Sequence, residues 1–277
     1  MGEVTEKKLS IITICYNEPN LEKTCESIVR QTCQDFEWVV IDGGSNQATL
    51  DVFEKYKNRI DKFVSEKDDG IYNACNKGIR LASGEYLIFM NAGDYFYDKD
   101  VIKLYYCFTE GNVADVYYGT CRTCMNDKSI NVLNYPSVLT KEYFLVANIC
   151  TQGVFISKKL FENFGMYNEN YKIVSDYEKW LQFLLAGVVF QRLPIIVANY
   201  GLNGVSTNEK TRKLSLSERY DVICKYFTPE EIMAVEKSRK IRYYLKTRIF
   251  SVKDSVTSTY RIITILGIHI RIKRKRI

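Results

Sequence analysis

The sequence predicts an α/β fold built around a doubly wound, mostly parallel sheet. Short apolar runs rich in β-branched residues alternate with amphipathic segments of about ten residues, which is the pattern of repeated βαβ units. Each apolar run is followed by polar and glycine residues that are typical of turns. With 277 residues, of which 46% are hydrophobic, the chain is long enough to bury one large core.

The first half contains four predicted strands, each separated from the next by a predicted helix. Strands are expected at residues 9–15, 36–41, 62–64 and 86–90, and helices at 21–31, 48–58 and 71–82. Right-handed crossovers place the carboxyl ends of such parallel strands along one edge of the sheet. The loops at 16–20, 42–45, 68–70 and 91–94 are therefore expected to converge there.

The second half has a less regular pattern. Strands are expected at 115–119 and 130–134, as an antiparallel pair, and at 154–156, 188–190 and 195–197, with helices at 158–164, at 175–185 and from 209 onwards. Ser175 and Glu178 fit the N-cap and N3 positions of a capping box, and Gly187 fits the position after the helix. We expect one domain over 1–205 and a helical, basic extension over 206–277.

Positive charge is concentrated in that extension. The whole chain has a net charge of +6, and residues 237–277 hold thirteen Lys and Arg against Asp254 alone, so they carry +12 and the remainder carries −6. Residues 261–276 mix isoleucines with basic residues, and such a segment can lie on an anionic membrane surface. The alternatives are a solvated basic end and a nucleic-acid contact, and the acidic main domain argues against nucleic acid as a partner.

The composition also indicates the compartment. No secretory signal and no run of about eighteen apolar residues is visible, and an odd count of nine cysteines reads as reduced thiols in a cytoplasmic protein. Cys121 and Cys124 have CxxC spacing, but with no second pair we favour coincidence within a strand over zinc. Because His269 is the single histidine, acid–base chemistry must fall to carboxylates.

Two strand-end loops carry residues that suit a nucleotide. Asp42 ends the second strand before two glycines that permit close approach of a ligand, and its carboxylate could accept a hydrogen bond from a base or a ribose, or simply close an Asx turn. Tyr16 could stack on a base or only line the rim. The patterns GxGxxG and GxxxxGK[ST] are absent, so neither a dinucleotide site nor a P-loop is predicted.

Two further carboxylates suit the chemistry of group transfer. Asp94 follows the strand at 86–90, where it could hold Mg²⁺ or Mn²⁺ together with the phosphates of a ligand, or cap the next segment. Asp176 is predicted at the N1 position of its helix, where the positive helix end favours the ionised form. It could accept a proton from an attacking hydroxyl, or only complement the helix dipole.

Five segments in order resemble the family-2 glycosyltransferases of the GT-A fold over about residues 8–205. They are 10–17 (SIITICYN), 31–45 (QTCQDFEWVVIDGGS), 66–78 (EKDDGIYNACNKG), 82–86 (ASGEY) and 89–94 (FMNAGD). Residues 152–156 (QGVFI) and 175–178 (SDYE) resemble the branch that builds bacterial exopolysaccharide, capsule or O-antigen units. The resemblance implies a nucleotide-binding half over about 1–110 and an acceptor half over about 111–205.

The resemblance also implies roles for single residues. Asp94 would be the metal ligand of a variant DxD motif that begins at Asn91, and Asp176 would be the catalytic base of a single inverting displacement. The residues that would line or border the nucleotide are Tyr16, Asn17, Glu18, Asp42, Asp69 and Lys77. The motif departs from the family in having Asn91 first and Gly93 where a carboxylate is common, so we expect weak metal affinity without nucleotide.

The implied function is transfer of a sugar from a nucleotide-diphosphate sugar, with UDP favoured, to a saccharide acceptor that is lipid-linked. This activity is expected on the cytoplasmic face of the cell membrane, in cell-surface polysaccharide synthesis. The alternatives are a transferase that charges polyprenyl phosphate directly and a catalytically silent nucleotide-sugar-binding subunit. The sequence leaves the sugar, the linkage and the oligomeric state open.

Overall fold

A computed structural model describes residues 8–125, 128–202, 204, 209–244, 250–254, 260–265 and 268–273. The chain divides into two compact units, residues 1–223 and 224–277. The domain boundary at residue 205 that the sequence suggested stays a prediction.

The first unit is an α/β structure, as predicted. Its strands are β1 (Leu9–Cys15), β2 (Glu37–Asp42), β3 (Lys62–Ser65), β4 (Tyr86–Phe89), β5 (Tyr95–Phe96), β6 (Val116–Met125), β7 (Lys128–Leu133), β8 (Val154–Ser157) and β9 (Phe190–Gly201). Its helices are α1 (Leu21–Val29), α2 (Gln47–Tyr56), α3 (Ile71–Leu81), α4 (Val101–Thr109), α5 (Lys141–Val146), α6 (Lys159–Phe164), α7 (Ser175–Leu185) and the start of α8 (Glu209–Tyr226).

These strands form one sheet in the order β3-β2-β1-β4-β8-β6-β9-β5, with β7 paired to β6. The strands β1 to β4 are parallel, whereas β8 runs antiparallel to both β4 and β6. Strands β6 and β7 are antiparallel, as expected for 115–119 and 130–134, but the residues of β6 that pair with β7 are 121–125, which lie beyond the first predicted strand. The carboxyl ends of β1, β2, β3 and β4 therefore lie along one edge.

The core explains why the first strands have almost no exposed positions. Every residue of β1 and β2 is buried, as expected for parallel strands covered on both faces. The buried Trp38 satisfies its indole by donating to Thr13 Oγ1 at 3.0 Å. Helix α3 approaches β1 so closely that a Cβ on Gly78 would lie 2.5 Å from Ile12 Cγ2, so only glycine fits there.

Three parts of the first unit differ from the sequence prediction. The strands expected at 188–190 and 195–197 are one strand, β9, and α4, α5 and β5 were not predicted. The capping box is wrong, because α7 begins at Ser175 itself and its hydroxyl accepts a hydrogen bond from Asn168 N at 2.7 Å. The Ser175 hydroxyl is therefore bonded to the preceding loop and does not cap the helix. Gly187 does follow the helix, with φ +78°.

The second unit combines helix and sheet. Helix α8 and the following α9 (Pro229–Tyr244) agree with the predicted helical extension over 209–244, whereas the described residues beyond it form strands. Three antiparallel strands then follow, β10 (Phe250–Asp254), β11 (Tyr260–Ile265) and β12 (Ile268–Lys273). They were not predicted, although isoleucines at alternate positions over 268–272 are a strand pattern. The basic positions 274–276 of the predicted membrane segment lie outside the described residues.

Candidate active site

The loops after β1 and β2 are held together by hydrogen bonds. Asn17 has a φ of +50°, and its Oδ1 accepts from Asn46 N at 2.8 Å while its backbone N–H donates to Ser45 Oγ at 2.8 Å. Its side chain therefore fixes the shape of the sheet edge, and Asn17 does not line the cavity described next.

A cavity of about 640 Å³ opens at this edge. Four residues proposed from the sequence line it, namely Tyr16, Glu18, Asn91 and Asp94. Tyr16 is 66% exposed, so its ring is available to a planar ligand. Sequence reasoning missed other lining residues, among them Lys23, Asp68, Gln152, Tyr200 and Gly201.

Asp42 is fully buried behind the cavity rather than on its surface. Its Oδ2 accepts from Ser65 Oγ at 2.6 Å, Ser45 N at 3.0 Å and Gly44 N at 3.2 Å, which is the turn-closing arrangement that the sequence left open. Its Oδ1 is buried and has no partner among the residues that the structure describes. One carboxylate oxygen is thus structural, and the other has unused hydrogen-bonding capacity.

Asp69 and Lys77 do not line the cavity. Asp69 is exposed and Lys77 pairs with Glu66 at 2.7 Å. The preceding Asp68 lies on the cavity instead, with Oδ1 accepting from Gly70 N at 3.0 Å. The sequence offers no basis for choosing between two adjacent aspartates, because the turn alone decides which one faces inward.

The turn Asn91–Asp94 is fixed from two sides. Thr24 of α1 donates to Asp94 O at 2.7 Å and accepts from Gly93 N at 3.0 Å, while Gly201 N at the end of β9 donates to Asp94 Oδ1 at 2.8 Å. Gly93 has a φ of +95°, and a Cβ there would lie 3.2 Å from the carboxylate carbon of Glu18. The backbone and Glu18 together explain why the motif has glycine at this position.

The electrostatics of this turn favour a bound cation. Burial and the nearby Glu18 raise the pKa of Asp94 to about 7, although hydrogen bonds from Gly201 N and the Gln152 side chain oppose the rise. Asn91 Oδ1 is buried and has no hydrogen-bond partner among the described residues. A carboxylate and an amide oxygen are hard ligands that suit Mg²⁺ or Mn²⁺.

The protein ligands alone would not complete such a site. Across the described residues, no group of three or more His, Cys, Asp and Glu side chains is placed to hold a metal. The remaining positions of a cation would have to be filled by phosphate oxygens and water, as is usual for Mg²⁺. The residues present therefore fit a cation that is bound together with a diphosphate.

A second cavity of about 300 Å³ adjoins the first. Asn91, Gln152, Ile71 and Tyr200 line both cavities, and Asp176 lines only the second. Gln152 thus touches the Asp94 cavity and the Asp176 cavity at once. The arrangement places one buried carboxylate on each side of a shared wall.

Three hydrogen bonds hold the carboxylate of Asp176. Thr151 Oγ1 lies 2.7 Å from Oδ2, and Tyr177 N and Tyr72 Oη lie 2.7 Å and 3.1 Å from Oδ1. The Tyr72 hydroxyl is also 2.7 Å from Ile173 O, so it shares one proton between two acceptors. The sequence could not identify Thr151 and Tyr72 as partners of Asp176, because they lie 25 and 104 residues from it along the chain.

The prediction about the helix end is corrected in one respect. Asp176 is the second residue of α7 rather than the first, and burial raises its pKa above the ordinary value although hydrogen bonds to the carboxylate oppose this. Desolvation of the charged form therefore outweighs the helix dipole, whose effect is only ~0.3–1 kcal/mol at exposed ends. A carboxylate with a raised pKa is a stronger base.

Solved structures define the class of this fold. Staphylococcus aureus TarS 1–349 in complex with UDP matches with a TM-score of 0.59 at 19% identity, over 87% of this chain and 73% of that chain. The mannosyltransferase PcManGT of Pyrobaculum calidifontis, in complex with GDP-Man and Mn²⁺, matches with a TM-score of 0.59 at 16% identity, over 83% and 68%. The curled, mostly parallel sheet is that of a GT-A glycosyltransferase.

Sequence comparison identifies the family. The model of Glycosyl transferase family 2 matches residues 10–164. A PGL/p-HBAD biosynthesis glycosyltransferase of Mycobacterium tuberculosis is 31% identical over 225 residues, which are 77% of this chain and 86% of that protein. The poly(ribitol-phosphate) beta-glucosyltransferase of Bacillus spizizenii is 29% identical over 142 residues, 49% of this chain and 21% of that protein. The chain belongs to glycosyltransferase family 2 and is a glycosyltransferase.

Proposed function

We propose that the chain is an inverting glycosyltransferase that moves a sugar from a nucleotide-diphosphate sugar to a saccharide acceptor. The observation that carries this proposal is the pair of adjoining cavities, with Asp94 in one, Asp176 in the other, and Asn91 and Gln152 lining both. A single displacement needs the leaving group and the base on opposite sides of the reacting carbon, and this arrangement offers both sides.

In the proposed reaction Asp176 acts on the acceptor. Its carboxylate takes the proton of an acceptor hydroxyl as that oxygen bonds to the anomeric carbon of the donor. The bond from this carbon to the diphosphate oxygen breaks at the same time, and its electron pair leaves with the diphosphate. One displacement inverts the anomeric configuration. Thr151 and Tyr72 hold the carboxylate in place for this step.

Asp94 and Asn91 would hold the divalent cation, with Glu18 beside them. When bound, the cation neutralises the negative charge that develops on the diphosphate. Tyr16 would stack on the base, Asp42 would accept through its unpaired oxygen, and Asn17 would shape the pocket. Asp69 and Lys77 would act only from the border, since neither lines the cavity.

The relatives support a donor and a setting for this chain. We favour a UDP-sugar as donor, since TarS was solved with UDP and with UDP-GlcNAc. The GDP-Man complex of PcManGT is the reason to test guanine nucleotides as well. The names of the mycobacterial and Bacillus relatives refer to PGL/p-HBAD biosynthesis and to poly(ribitol-phosphate). They support a role in cell-surface glycan synthesis, for which we propose a lipid-linked acceptor.

We also propose that residues 1–205 form the catalytic domain and that 206–277 bring it to the cytoplasmic membrane face. The +12 charge of residues 237–277 carries this proposal, since anionic lipids attract each basic residue by about 1 kcal/mol. Among the described residues, no helix has the length and apolar character needed to cross a membrane.

A thermal-shift screen tests the donor half of this proposal. UDP, GDP, CDP and TDP would be added with and without Mn²⁺, and we expect one of them to raise the melting temperature only with the metal. A ligand at a hundredfold excess over its Kd stabilises by roughly 2.7 kcal/mol. Release of that nucleotide from its sugar donor then separates an enzyme from a silent binding subunit. No metal-dependent stabilisation by any of the four would contradict the proposal.

A further inference from the structure

The second cavity is lined by a phenol that has no hydrogen-bond partner in the part of the chain that the structure describes. Tyr167 lines this cavity and is only 3% exposed, yet its buried hydroxyl bonds to none of the described residues. Buried hydroxyl groups in proteins are nearly always paired, and an unpaired one destabilises the fold. This hydroxyl therefore needs a physical explanation.

The ring of Tyr167 is held in one orientation. Tyr167 N donates to Asn76 Oδ1 at 2.9 Å, and Tyr167 O accepts from Asn76 Nδ2 at 3.0 Å. The ring packs against Tyr72, Phe161 and Phe89 with centroids 5.3, 5.2 and 5.8 Å away. Two backbone bonds and three aromatic contacts fix the phenol before any ligand arrives.

The phenol lies close enough to the proposed base for the two groups to interact. Burial raises the pKa of Tyr167, and the nearby Cys75 and Asp176 raise it further. Both of these residues line the cavity. The indole Nε1 of Trp180 also has no partner among the described residues, but Trp180 does not line the cavity, so burial alone would not identify a binding group.

We propose that Tyr167 binds a second hydroxyl of the acceptor, next to the hydroxyl that Asp176 deprotonates. This inference rests on the proposed function and names its acceptor class. The acceptor unit would be a sugar ring with neighbouring hydroxyls, whose apolar face packs against Phe89, Ile149 and Ile173 of the cavity wall. A site built to bond a substrate hydroxyl rejects an analogue without it, because the protein group is then left unpaired.

The same property makes a prediction for the free protein. Tyr167→Phe removes an unpaired buried hydroxyl, so the melting temperature should stay the same or rise. Tyr117→Phe is the matched control, since Tyr117 is 1% exposed and its hydroxyl donates to Asn112 O at 2.6 Å and accepts from Ala114 N at 3.0 Å. That variant should melt several degrees lower. An equal fall in Tyr167→Phe would show that its hydroxyl is already paired and would overturn the proposal.

Transfer assays test the acceptor itself. The probes are p-nitrophenyl glycosides of common hexoses, followed by the monodeoxy derivatives of the best of them, with release of the nucleotide diphosphate as the readout. In the wild type, removing one particular hydroxyl of the glycoside should lower kcat/KM about tenfold. In Tyr167→Phe, removing the same hydroxyl should not change kcat/KM. The affinity for UDP should be the same in both proteins. Equal losses in the two proteins at every position would overturn the inference.

The two levels of the proposal fail differently. If the wild type releases no nucleotide diphosphate from any sugar donor, with or without glycosides, the proposed function is wrong. If it transfers to glycosides but Tyr167→Phe shows no position-dependent difference, only the role of Tyr167 is wrong. The comparison of melting temperatures tests the unpaired hydroxyl in either case.

Discussion

At the scale of single residues, Asp94 and Asp176 are two buried carboxylates with different surroundings. Burial raises the pKa of both. Asp94 lies near Glu18, and it lines the same cavity as Asn91, whose Oδ1 has no partner among the described residues. Asp176 instead receives hydrogen bonds from Thr151 and Tyr72, which hold its orientation. The surroundings therefore support a metal ligand in one case and a base in the other.

We expect Asp94→Asn to abolish the Mn²⁺-dependent rise in melting temperature with nucleotide diphosphate. The amide keeps the shape and can still accept from Gly201 N, but it loses the charge that attracts the cation. Differential scanning fluorimetry with and without Mn²⁺ measures the effect, and Asp51→Asn on the exposed face of α2 is the control. Metal-dependent stabilisation that persists in Asp94→Asn would remove this residue from the site.

Asp176→Asn should lower kcat by about 10²–10⁴ and leave nucleotide affinity nearly unchanged, because only the proton acceptor is lost. In the wild type, kcat/KM should fall as the pH drops through the pKa of Asp176, and burial places this value above the ordinary 3.8. Steady-state kinetics from pH 5 to 9 and calorimetric titration of UDP measure both effects. Near-normal turnover would show that Asp176 only complements the helix dipole. Loss of UDP binding would show instead that it belongs to the donor cavity.

At the scale of elements, α8 holds the loop that precedes α7. The buried Glu218 accepts from Lys172 N at 2.7 Å and Ile173 N at 2.9 Å, and Ile173 O in turn accepts from Tyr72, the partner of Asp176. The next residue, Arg219, donates to Phe144 O and Ala147 O at the end of α5. Two neighbouring side chains thus connect α8 to two segments beside the second cavity.

Glu218→Gln should therefore impair transfer without weakening donor binding. The amide can accept only one of the two backbone N–H groups, so the loop and the Tyr72 hydroxyl lose their fixed positions. We expect a several-fold fall in kcat and a shift of the acidic limb of the pH profile, with UDP affinity unchanged. Glu236→Gln, an exposed position on α9, is the control. A variant with an unaltered pH profile would show that Glu218 serves stability alone.

A second element-scale contact controls acid stability. Burial alone would raise the pKa of Glu37 in β2, but the ion pair with Lys62 and hydrogen bonds from Ser10 and Ser83 lower it to about 2. The stabilisation is present above the ordinary pKa of 4.5 and is lost as the pH falls towards about 2. Glu37→Gln should thus cost on the order of 3 kcal/mol at neutral pH and little at pH 2. Urea unfolding at several pH values measures this difference, and an equal loss at all pH values would contradict it.

At the scale of the whole molecule, charge distinguishes the two ends of the chain. Residues 237–277 carry +12, and the remainder carries −6. Part of the basic segment lies in β11 and β12, which pair with each other from Tyr260–Lys273 to Ile265–Ile268. A truncation after residue 260 would therefore remove two of three paired strands as well as charge, so a substitution is needed beside it.

We expect deletion of 261–277 to weaken binding to anionic vesicles and to leave the unit formed by residues 1–223 folded. Replacing Lys273, Arg274, Lys275 and Arg276 by glutamine should also weaken binding, by up to about a thousandfold, since each charge contributes about 1 kcal/mol at the surface. Sedimentation with vesicles containing phosphatidylglycerol measures both variants, and neutral vesicles are the control. Equal binding by the truncated and full-length chains at moderate salt would contradict the membrane proposal.

The sequence by itself determined the first four strands, the first three helices and the edge at which the site forms. Periodicity and turn residues are local properties, so β1 to β4, α1 to α3 and the turn at Asn91–Asp94 could be predicted from neighbouring residues. The resemblance of five ordered segments supplied the family. The sequence also carried the asymmetric charge, because a count needs no coordinates.

Only the tertiary structure decided which polar groups meet. It placed Asp68 rather than Asp69 on the cavity and joined Thr151 and Tyr72 to Asp176 across 25 and 104 residues. It also raised the pKa of Asp176, where the helix end suggested an easily ionised group. The physical reason is that burial and pairing depend on every element packed around a side chain, whereas the sequence reports only the residues beside it along the chain.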